Sequence, residues 1–431
     1  MATGVVIRIV VLFVTMLFFM FLKFPVFLSL ASASVLYLVF FPGSVPAAVY
    51  VQSLAQGVGK ETFVAVMFYF LMGEIMNSGG ISERLLDLLN AAIGWMRGSM
   101  SHINILSSVI FAGVSGSANA DTAAIGSMMI PVMKKQGYPA GYAAAVTQCS
   151  SVIGPIIPPS SGLVILATYM NCSVRKLLCA GIIPGLMMGL VELTVSFLIS
   201  HRRGFPRVAW AGWKNLWEKF KVGCWAIVLP VATILCLVFG IGTVTEVGAM
   251  SCVFAFLIAK FAYNELSFKK FCRCFMNSTV LAGRVLCSIG TAGVFVWIIS
   301  SMGAATKLAK LVAQSGFSQT GVMFAIVLIL FFAGMFLNVS VMIQVLIPVM
   351  IPTVLGMGIN PFYFGIIALL IAQLGVNTPP VGSLIYITSS IAECPSTETI
   401  KESVPYLVAL VLMIVVWILC PSIITWFPSR L

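Results

Sequence analysis

The sequence predicts an all-α polytopic membrane protein in which interrupted helices occur twice. Three observations predict this fold class. The 431 residues are 60% hydrophobic and only 8% charged, a composition that no soluble domain of this length can bury. About ten stretches reach the ~20 apolar residues that cross a bilayer. Residues that break helices also recur at a constant shift of 221 positions, which indicates a repeat.

The repeat is carried mainly by glycine and proline. Eight positions hold one register across more than 70 residues, pairing Gly113, Pro131, Gly137, Tyr142, Gly154, Pro158, Pro159 and Pro184 with Gly334, Pro352, Gly358, Tyr363, Gly375, Pro379, Pro380 and Pro405. A transmembrane helix does not normally repeat its own breaks. Paired breaks in two halves of an apolar chain indicate a transporter with a binding site near the membrane midplane.

Apolar runs give the spanning helices, in order, as roughly 5–22, 25–41, 61–78, 138–171, 177–200, 223–240, 247–262, 277–300, 361–393 and 403–427. Segments 81–97 and 302–316 have charge on one helical face and predict amphipathic helices at the interface. These two match at a shift of 223, so the repeat extends backward. We assign one membrane domain, 1–431, with a first repeat core at 80–184 and a second at 303–405.

The remaining apolar segments, 99–133 and 319–355, are interrupted at GVSGSANAD and GMFLNVS. Each predicts a re-entrant hairpin, because non-helical backbone survives at membrane depth only where protein or water surrounds it. Helices 138–171 and 361–393 are themselves broken, at IGPIIPPS and LGVNTPPVG, where proline removes a backbone donor and frees carbonyls.

Orientation follows from crossings and charge. Five crossings separate the two hairpins, an odd number, so the second repeat is predicted to be inverted. Six Lys and Arg with one acid in segment 201–222 predict a basic cytoplasmic loop. Lys134 and Lys135 fall on the same side, whereas Arg175 and Lys176 are exceptions placed outside. The net charge of +12 therefore indicates membrane orientation and not nucleic-acid binding.

Four interruptions converge, two hairpin tips and two helix breaks. Half-helix N-termini suit an anionic substrate, and unwound carbonyls suit a hard cation such as Na⁺. The candidates are Gly113, Ser115, Ser117, Gly154, Ile157, Ser160, Gly334, Asn338, Gly375, Asn377, Thr378 and Val381. A single Gly or Pro is more often only a kink, but the paired set favours a site.

Charged residues inside the spans are functional hypotheses by default. Asp121 follows the first hairpin tip and could lie near Na⁺ or cap the returning helix. Glu74 and Glu192 are interpreted as structural pairs, and Glu246 as a helix start. Arg284 could reach inward, or it could snorkel to the interface or pair within the scaffold.

Several motifs resemble the large membrane subunit, of DctM type, of tripartite ATP-independent periplasmic (TRAP) transporters. They are GEIMNSGGI (73–81), GVSGSANADTAA (113–124), SSVIGPIIPPS (150–160), AGIIPG (180–185) and GMFLN to GVNTPPVG (334–382). The resemblance covers essentially the whole chain and implies a multi-pass protein of the bacterial or archaeal cytoplasmic (inner) membrane.

The resemblance implies Na⁺-driven uptake of a carboxylate-bearing solute, such as a C4-dicarboxylate, a sugar acid or a sialic acid, by an elevator mechanism. It implies two partners, a periplasmic binding protein that delivers the solute and a small four-helix membrane subunit on a separate chain. About two Na⁺ sites and no organic cofactor are expected.

Motif by motif, the resemblance implies residues for each site. One Na⁺ site is expected to use the Gly113–Ser115 tip with Gly154 and Ile157, and the other to use Gly334, Gly375, Thr378 and Val381. Solute contacts are expected from Ser115, Ser117, Ser160 and Asn338, with Asp121, Asn119 and Asn377 as supporting residues. Asn338 stands where the family often has Asp, and Ser161–Gly162 where it has Ile-Pro, which weakens the interpretation as a sialic-acid transporter.

Three alternatives belong to other classes. Gly113–Gly116 spells GxSG, as in intramembrane serine proteases, but such catalysis needs a base near the serine. His102 and His201 are the only histidines, and neither is in an apolar helix that meets Ser115 at mid-membrane. We therefore do not expect an enzyme. A channel or a stand-alone Na⁺–dicarboxylate symporter with similar hairpins stays open.

Overall fold

The computed structural model describes residues 2–41, 46–207, 210–303, 310, 312, 314 and 316–431, with the side chains of 2–6, 47 and 113–115 left aside. Its major helices are α1 (Ala2–Phe21), α2 (Val26–Phe40), α3 (Ala47–Val58), α4 (Thr62–Ser78), α5 (Ile81–Ile93), α6 (Ser99–Ser115), α7 (Ala118–Lys135), α8 (Ala140–Ser151), α9 (Ser161–Tyr169), α10 (Val174–Ala180), α11 (Ile182–Arg203), α12 (Gly212–Phe239), α13 (Val244–Leu257), α14 (Phe268–Ser301), α15 (Gln319–Gly334), α16 (Val339–Gly356), α17 (Pro361–Gly375), α18 (Ser383–Ala392) and α19 (Ser396–Leu419). π-Helical turns extend α13 at Ile258–Ala262 and interrupt α16 at Met342–Leu346, and a short helix, Ser422–Thr425, and a 3₁₀ turn, Pro428–Arg430, end the chain.

Six of the described helices are long and apolar enough to cross a membrane, and a seventh span is formed if α4 and α5, bent by 65°, count as one. Several other helices are apolar but shorter, among them arms of both hairpins and pieces of the second broken helix. The all-helical membrane fold is thus confirmed, while the count of ten spans stays a prediction. The interfacial helix predicted at 302–316 lies mostly outside the described residues.

Both segments predicted as hairpins consist of two helices separated at the predicted interruption, and their returning arms keep the repeat register; re-entry into the membrane stays a prediction. Helix α7 spans 118–135 and α16 spans 339–356, so both ends differ by 221 positions. Each returning arm ends before a glycine in the left-handed region, Gly137 at φ 87° and Gly358 at φ 71°. L-residues with a side chain rarely adopt this conformation, which explains why the sequence repeats glycine there.

The two predicted broken helices are also formed. Helices α8 and α9 flank a break at 152–160, and α17 and α18 flank one at 376–382. A cis peptide bond joins Pro158 to Pro159, and another joins Pro379 to Pro380.

Two sets of closely packed helices stand out among those described. Helices α7, α8 and α18 pack on one another, and α8 also packs on α19, so elements of both repeats share one core. The other group surrounds α14, which packs against α2, α3 and α4. The sequence did not predict α3, because this segment is too short and too polar for a transmembrane helix. Its Gly57 lies against the backbone of Gly290.

The ion pairs found among the described residues all join segments predicted to face the cytoplasm. They are Arg84–Glu265 at 2.6 Å, Lys134–Glu393 at 3.1 Å, Arg203–Glu402 at 2.9 Å and Lys219–Asp87 at 2.5 Å. The Lys134–Glu393 pair brings the base of the first hairpin to the far end of the second broken helix, as an inverted repeat requires.

Two loop predictions are refined by the structure. Helix α11 ends at Arg203 and α12 begins at Gly212, so more than half of the segment predicted as a basic loop, 201–222, is helical. Arg175, an exception to the charge rule, donates hydrogen bonds to the carbonyls of Leu237 and Val238 at 2.8 and 2.7 Å. These carbonyls lie in the last turn of α12, at the negative end of the helix dipole, so a cation there is stabilising.

Candidate functional site

A cavity of about 250 Å³ lies between the two hairpin tips and the two helix breaks. Both repeats contribute to its wall. The polar side chains that line it are neutral amides and hydroxyls: Ser117, Asn119, Ser161, Asn338, Ser340, Gln344, Gln373 and Ser383. The structure therefore brings together the tips that the sequence predicted to converge, in a chamber that offers hydrogen bonds and no charged side chain in its described wall.

Each hairpin tip presents the start of a helix to this cavity. Ser117, Ala118 and Asn119 begin α7 and line the cavity, and Asn338, Val339 and Ser340 do the same at α16. One tip reads Ser-Ala-Asn and the other Asn-Val-Ser, so each offers one amide and one hydroxyl. The Oδ1 atom of Asn338 accepts a hydrogen bond from the backbone N–H of Val341 at 3.0 Å and caps its helix.

Starts of the two half-helices after the breaks also reach the cavity, through Ser161 and Gly162 of α9 and Ser383 of α18. Four helix N-termini thus surround one space. Helix N-termini carry unpaired N–H groups and a partial positive charge. This arrangement can hold an anion without a basic side chain.

Close backbone contact defines the second repeat's tip and break. A side chain at Gly375 would place its Cβ 2.5 Å from the Cα of Gly334, and one at Gly334 would lie 3.0 Å from the Cα of Gly375. Both glycines are therefore required for this approach. The sulfur of Met342 lies beside Gly334 as well, 3.1 Å from where a Cβ would stand.

The first repeat has a carboxylate at the corresponding place. Oδ2 of Asp121 lies where a Cβ on Gly154 would stand. Asp121 is 2% exposed and sits in the first turn of α7. Its side chain therefore faces the helix break, while its two predicted roles, lying near Na⁺ and capping the returning helix, stay predictions.

The breaks leave carbonyl oxygens without a helical partner. Within the described part of the chain, no backbone N–H bonds to the carbonyl of Gly154, Ile157, Gly334, Thr378 or Val381. By contrast, the Thr378 hydroxyl donates to Leu374 at 2.7 Å. Free carbonyls at an unwound helix are the ligands that Na⁺ prefers. The carbonyls of these residues are therefore suitable ligands for the predicted Na⁺ ions, which would be co-substrates.

Some predicted residues lie behind the cavity wall. Ser160 is fully buried, donates to the carbonyl of Pro155 at 2.5 Å and caps α9 by accepting from Leu163. Asn377 is also fully buried and donates to Cys149. Direct solute contact by Ser160 stays a prediction. The side chain of Ser115 and its neighbours Gly113 and Val114 fall outside the described part.

Sequence reasoning placed Ser161 in the predicted solute pocket but missed four of the polar wall residues. These are Ser340, Gln344, Gln373 and Ser383. The repeat search found breaks by identity at the same register, but Gln344 and Gln373 stand opposite Ala123 and Val152 and leave no such signal. Ser340 and Ser383 could have been found from the helix-start rule, since each lies within the first two residues of a helix.

Three acidic residues outside the cavity were also assigned from the sequence. Glu74 accepts a hydrogen bond from Asn277 at 3.3 Å, a structural contact. Glu246 forms a capping box with Thr243, so its assignment as a helix start agrees with the structure. The pairing expected for Glu192 is not found among the described residues: the side chain is fully buried and neither carboxylate oxygen has a hydrogen-bond partner.

The fold resembles a solved transporter. It matches the crystal structure of the YdaH transporter of Alcanivorax borkumensis with a TM-score of 0.66 and 14% identity, over 87% of this chain and 88% of that one. At this identity the match concerns the fold alone.

Sequence comparisons identify the family. The chain is 30% identical over 373 residues to the 2,3-diketo-L-gulonate TRAP transporter large permease protein YiaN of Escherichia coli, covering 86% of this chain and 88% of that protein. It is 30% identical over 415 residues to the sialic acid TRAP transporter permease protein SiaT of Haemophilus influenzae, covering 96% and 67%. The family model of the DctM component of tripartite ATP-independent periplasmic transporters matches residues 13–423. The chain therefore belongs to this DctM family of solute-uptake permeases and lies in the inner membrane.

Proposed function

We propose that this permease couples the uptake of a carboxylate-bearing, hydroxylated solute to the Na⁺ gradient. The observation that carries the proposal is the cavity surrounded by four helix N-termini, with free carbonyls at both breaks behind it. The N-termini attract an anion, and the carbonyls attract Na⁺. An anion and a cation bound close together attract each other, so binding of one favours binding of the other.

The wall of the cavity favours a sugar acid over a plain dicarboxylate. Gln373 is 3% exposed, lines the cavity, and its Oε1 atom has no hydrogen-bond partner. A buried acceptor without a donor is unfavourable, and a solute hydroxyl supplies the donor. Hydroxyl-bearing solutes also match the hydroxyls and amides of the wall. The relative YiaN is named for 2,3-diketo-L-gulonate, itself a sugar acid.

The proposed mechanism is an elevator. The hairpins and broken helices line the cavity from both repeats, and we propose that they move together and carry the solute past the helices around α14. Na⁺ would be held by Gly113, Ser115, Gly154 and Ile157 in one repeat and by Gly334, Gly375, Thr378 and Val381 in the other. A periplasmic binding protein delivers the solute, and a small four-helix subunit completes the membrane complex.

Uptake by the complete system in liposomes tests the proposal. The permease is reconstituted with its small subunit, and binding protein loaded with radiolabelled D-gluconate, succinate or N-acetylneuraminate is added outside. We expect uptake only with an inward Na⁺ gradient and only with the binding protein. Uptake without the binding protein would indicate a stand-alone symporter, and uptake independent of Na⁺ as well would indicate a channel.

A further inference from the structure

Arg284 is the one charged residue in the apolar stretch of α14 that follows Arg273. It lies near the middle of this 34-residue helix, eleven positions beyond Arg273 and so about 16 Å further along the helix axis. At this depth a cation is unfavourable unless something pairs with it. Arg284 nevertheless has no ion pair, hydrogen bond or ring contact with any residue that the structure describes.

A second cavity, of about 440 Å³, contains this side chain. Arg284 lines it together with Ser288, Ser340, Gln344 and the start of α2 at Pro25–Phe27. Val285, Ser340 and Gln344 also line the solute cavity between the hairpin tips. The two cavities therefore share a wall, and Arg284 lies directly beyond it.

Gln344 is the side chain that links the two spaces. It is 2% exposed, and its Oε1 atom accepts a hydrogen bond from the hydroxyl of Ser288 at 2.5 Å. This bond uses the acceptor of the amide and leaves its N–H groups as donors. Together the guanidinium of Arg284, the amide of Gln344 and the hydroxyl of Ser340 form a set of hydrogen-bond donors with one positive charge.

We propose that Arg284 of α14 and Gln344 of the second hairpin form a carboxylate-binding subsite next to the solute cavity when the hairpin lies against α14, as it does in this structure. The inference rests on the proposed function, since the carboxylate is that of the transported solute. The planar guanidinium binds a carboxylate through two parallel hydrogen bonds. The subsite supplies the charged contact that the neutral main cavity lacks, and it selects an acid over an otherwise identical neutral amide.

One competing explanation is specific enough to test. Arg284 lies on the exposed side of α14 with Val280, Leu281 and Cys287 as neighbours, so an acidic residue of the small membrane subunit could pair with it. In that case its loss would weaken the membrane complex and would not change the choice between acid and amide.

Binding of matched acids and amides tests the subsite directly. The permease with its small subunit is placed in nanodiscs, and calorimetry measures binding of D-gluconate, succinate and N-acetylneuraminate, each against its carboxamide. For the wild-type protein we expect one acid to bind at least about tenfold more tightly than its amide. In Arg284→Gln that preference falls to about twofold or less, because affinity for the acid drops and affinity for the amide does not. Arg284→Lys keeps an intermediate preference, since ammonium retains the charge and loses the paired geometry.

Arg273→Gln is the matched control, because it removes the same charge from the same helix near the cytoplasmic end, and we expect it to leave the preference unchanged. If Arg284→Gln keeps the wild-type preference for the acid, the subsite is wrong while the proposed function stands. Equal loss of acid and amide binding, or loss of the small subunit during purification, also overturns the subsite. A wild-type protein without any preference would contradict both proposals.

Discussion

The two repeats share a backbone design and differ in the chemistry packed against it. In each, a helix break meets its hairpin over a glycine, Gly154 in the first repeat and Gly375 in the second. Gly154 faces the carboxylate of Asp121, whereas Gly375 faces the backbone of Gly334. The position equivalent to Asp121 is Met342, whose sulfur lies beside Gly334.

This difference teaches that the repeat preserves the location of free carbonyls without preserving the charge around them. A cation near Asp121 interacts with a full negative charge, while one near Met342 interacts only with dipoles. Charge-assisted contacts are stronger than neutral ones. We therefore expect the two proposed Na⁺ sites to have different affinities, with the first repeat providing the tighter site.

The largest effect is expected from Gly375→Ala. Its Cβ would meet the backbone of Gly334 at 2.5 Å, and backbone cannot move aside as a side-chain tip can. We expect uptake to fall by about a hundredfold or more and the melting temperature to drop. Gly154→Ala should lose less, since the Asp121 side chain can rotate away. Gly356→Ala, at a helical glycine with open space around it, is the control; equal losses in all three would contradict the account.

The second-largest effect is expected from neutralising the carboxylate of Asp121. Asp121→Asn should raise the half-saturating Na⁺ concentration of uptake by about tenfold, because the first site loses its charge. Met342→Leu, the same kind of size-conserving change in the other repeat, should shift it by less than about twofold. Na⁺ titration of uptake in liposomes measures both. Equal responses would mean that the charge difference between the repeats has no role.

A smaller effect is expected at Gln373. Gln373→Val gives the second repeat the residue that the first has at the equivalent position, Val152, and removes the buried acceptor. Loss of one solute hydrogen bond should weaken uptake by about tenfold. A solute analogue lacking the hydroxyl serves as control, because it should be taken up equally by both proteins. If Gln373→Val lowers uptake of the analogue as much as uptake of the parent solute, Gln373 has a structural role only.

The smallest effect is expected at Glu192, which lies outside both breaks. Its buried carboxyl has no hydrogen-bond partner in the described structure, so Glu192→Leu removes an unfavourable group. Uptake should change by less than about twofold, and the melting temperature should stay or rise. A large loss of uptake with an unchanged melting temperature would show that Asp121 is not the only carboxylate that matters.

Much of this architecture could be predicted because the residues that break helices, glycine and proline, can be recognised in the sequence. Gly137 and Gly358 mark the ends of the hairpins, and the proline pairs mark the breaks. The side chains that line the cavity could not be found in the same way. In the sequence, Gln344 and Gln373 are single polar residues in apolar segments, and only tertiary packing places them in the cavity wall. Glu192 shows the opposite limit, since its sequence position suggested a partner that packing does not supply among the residues that the structure describes.

The central claim is that two cation sites of unequal affinity surround one solute cavity. Initial uptake rates of the complete complex, measured against external Na⁺ concentration at saturating solute-loaded binding protein, test it most directly. We predict a sigmoidal curve with a Hill coefficient between about one and two, which Asp121→Asn moves to higher Na⁺ concentration. A curve that Asp121→Asn leaves in place, or uptake that does not depend on Na⁺, would contradict the account.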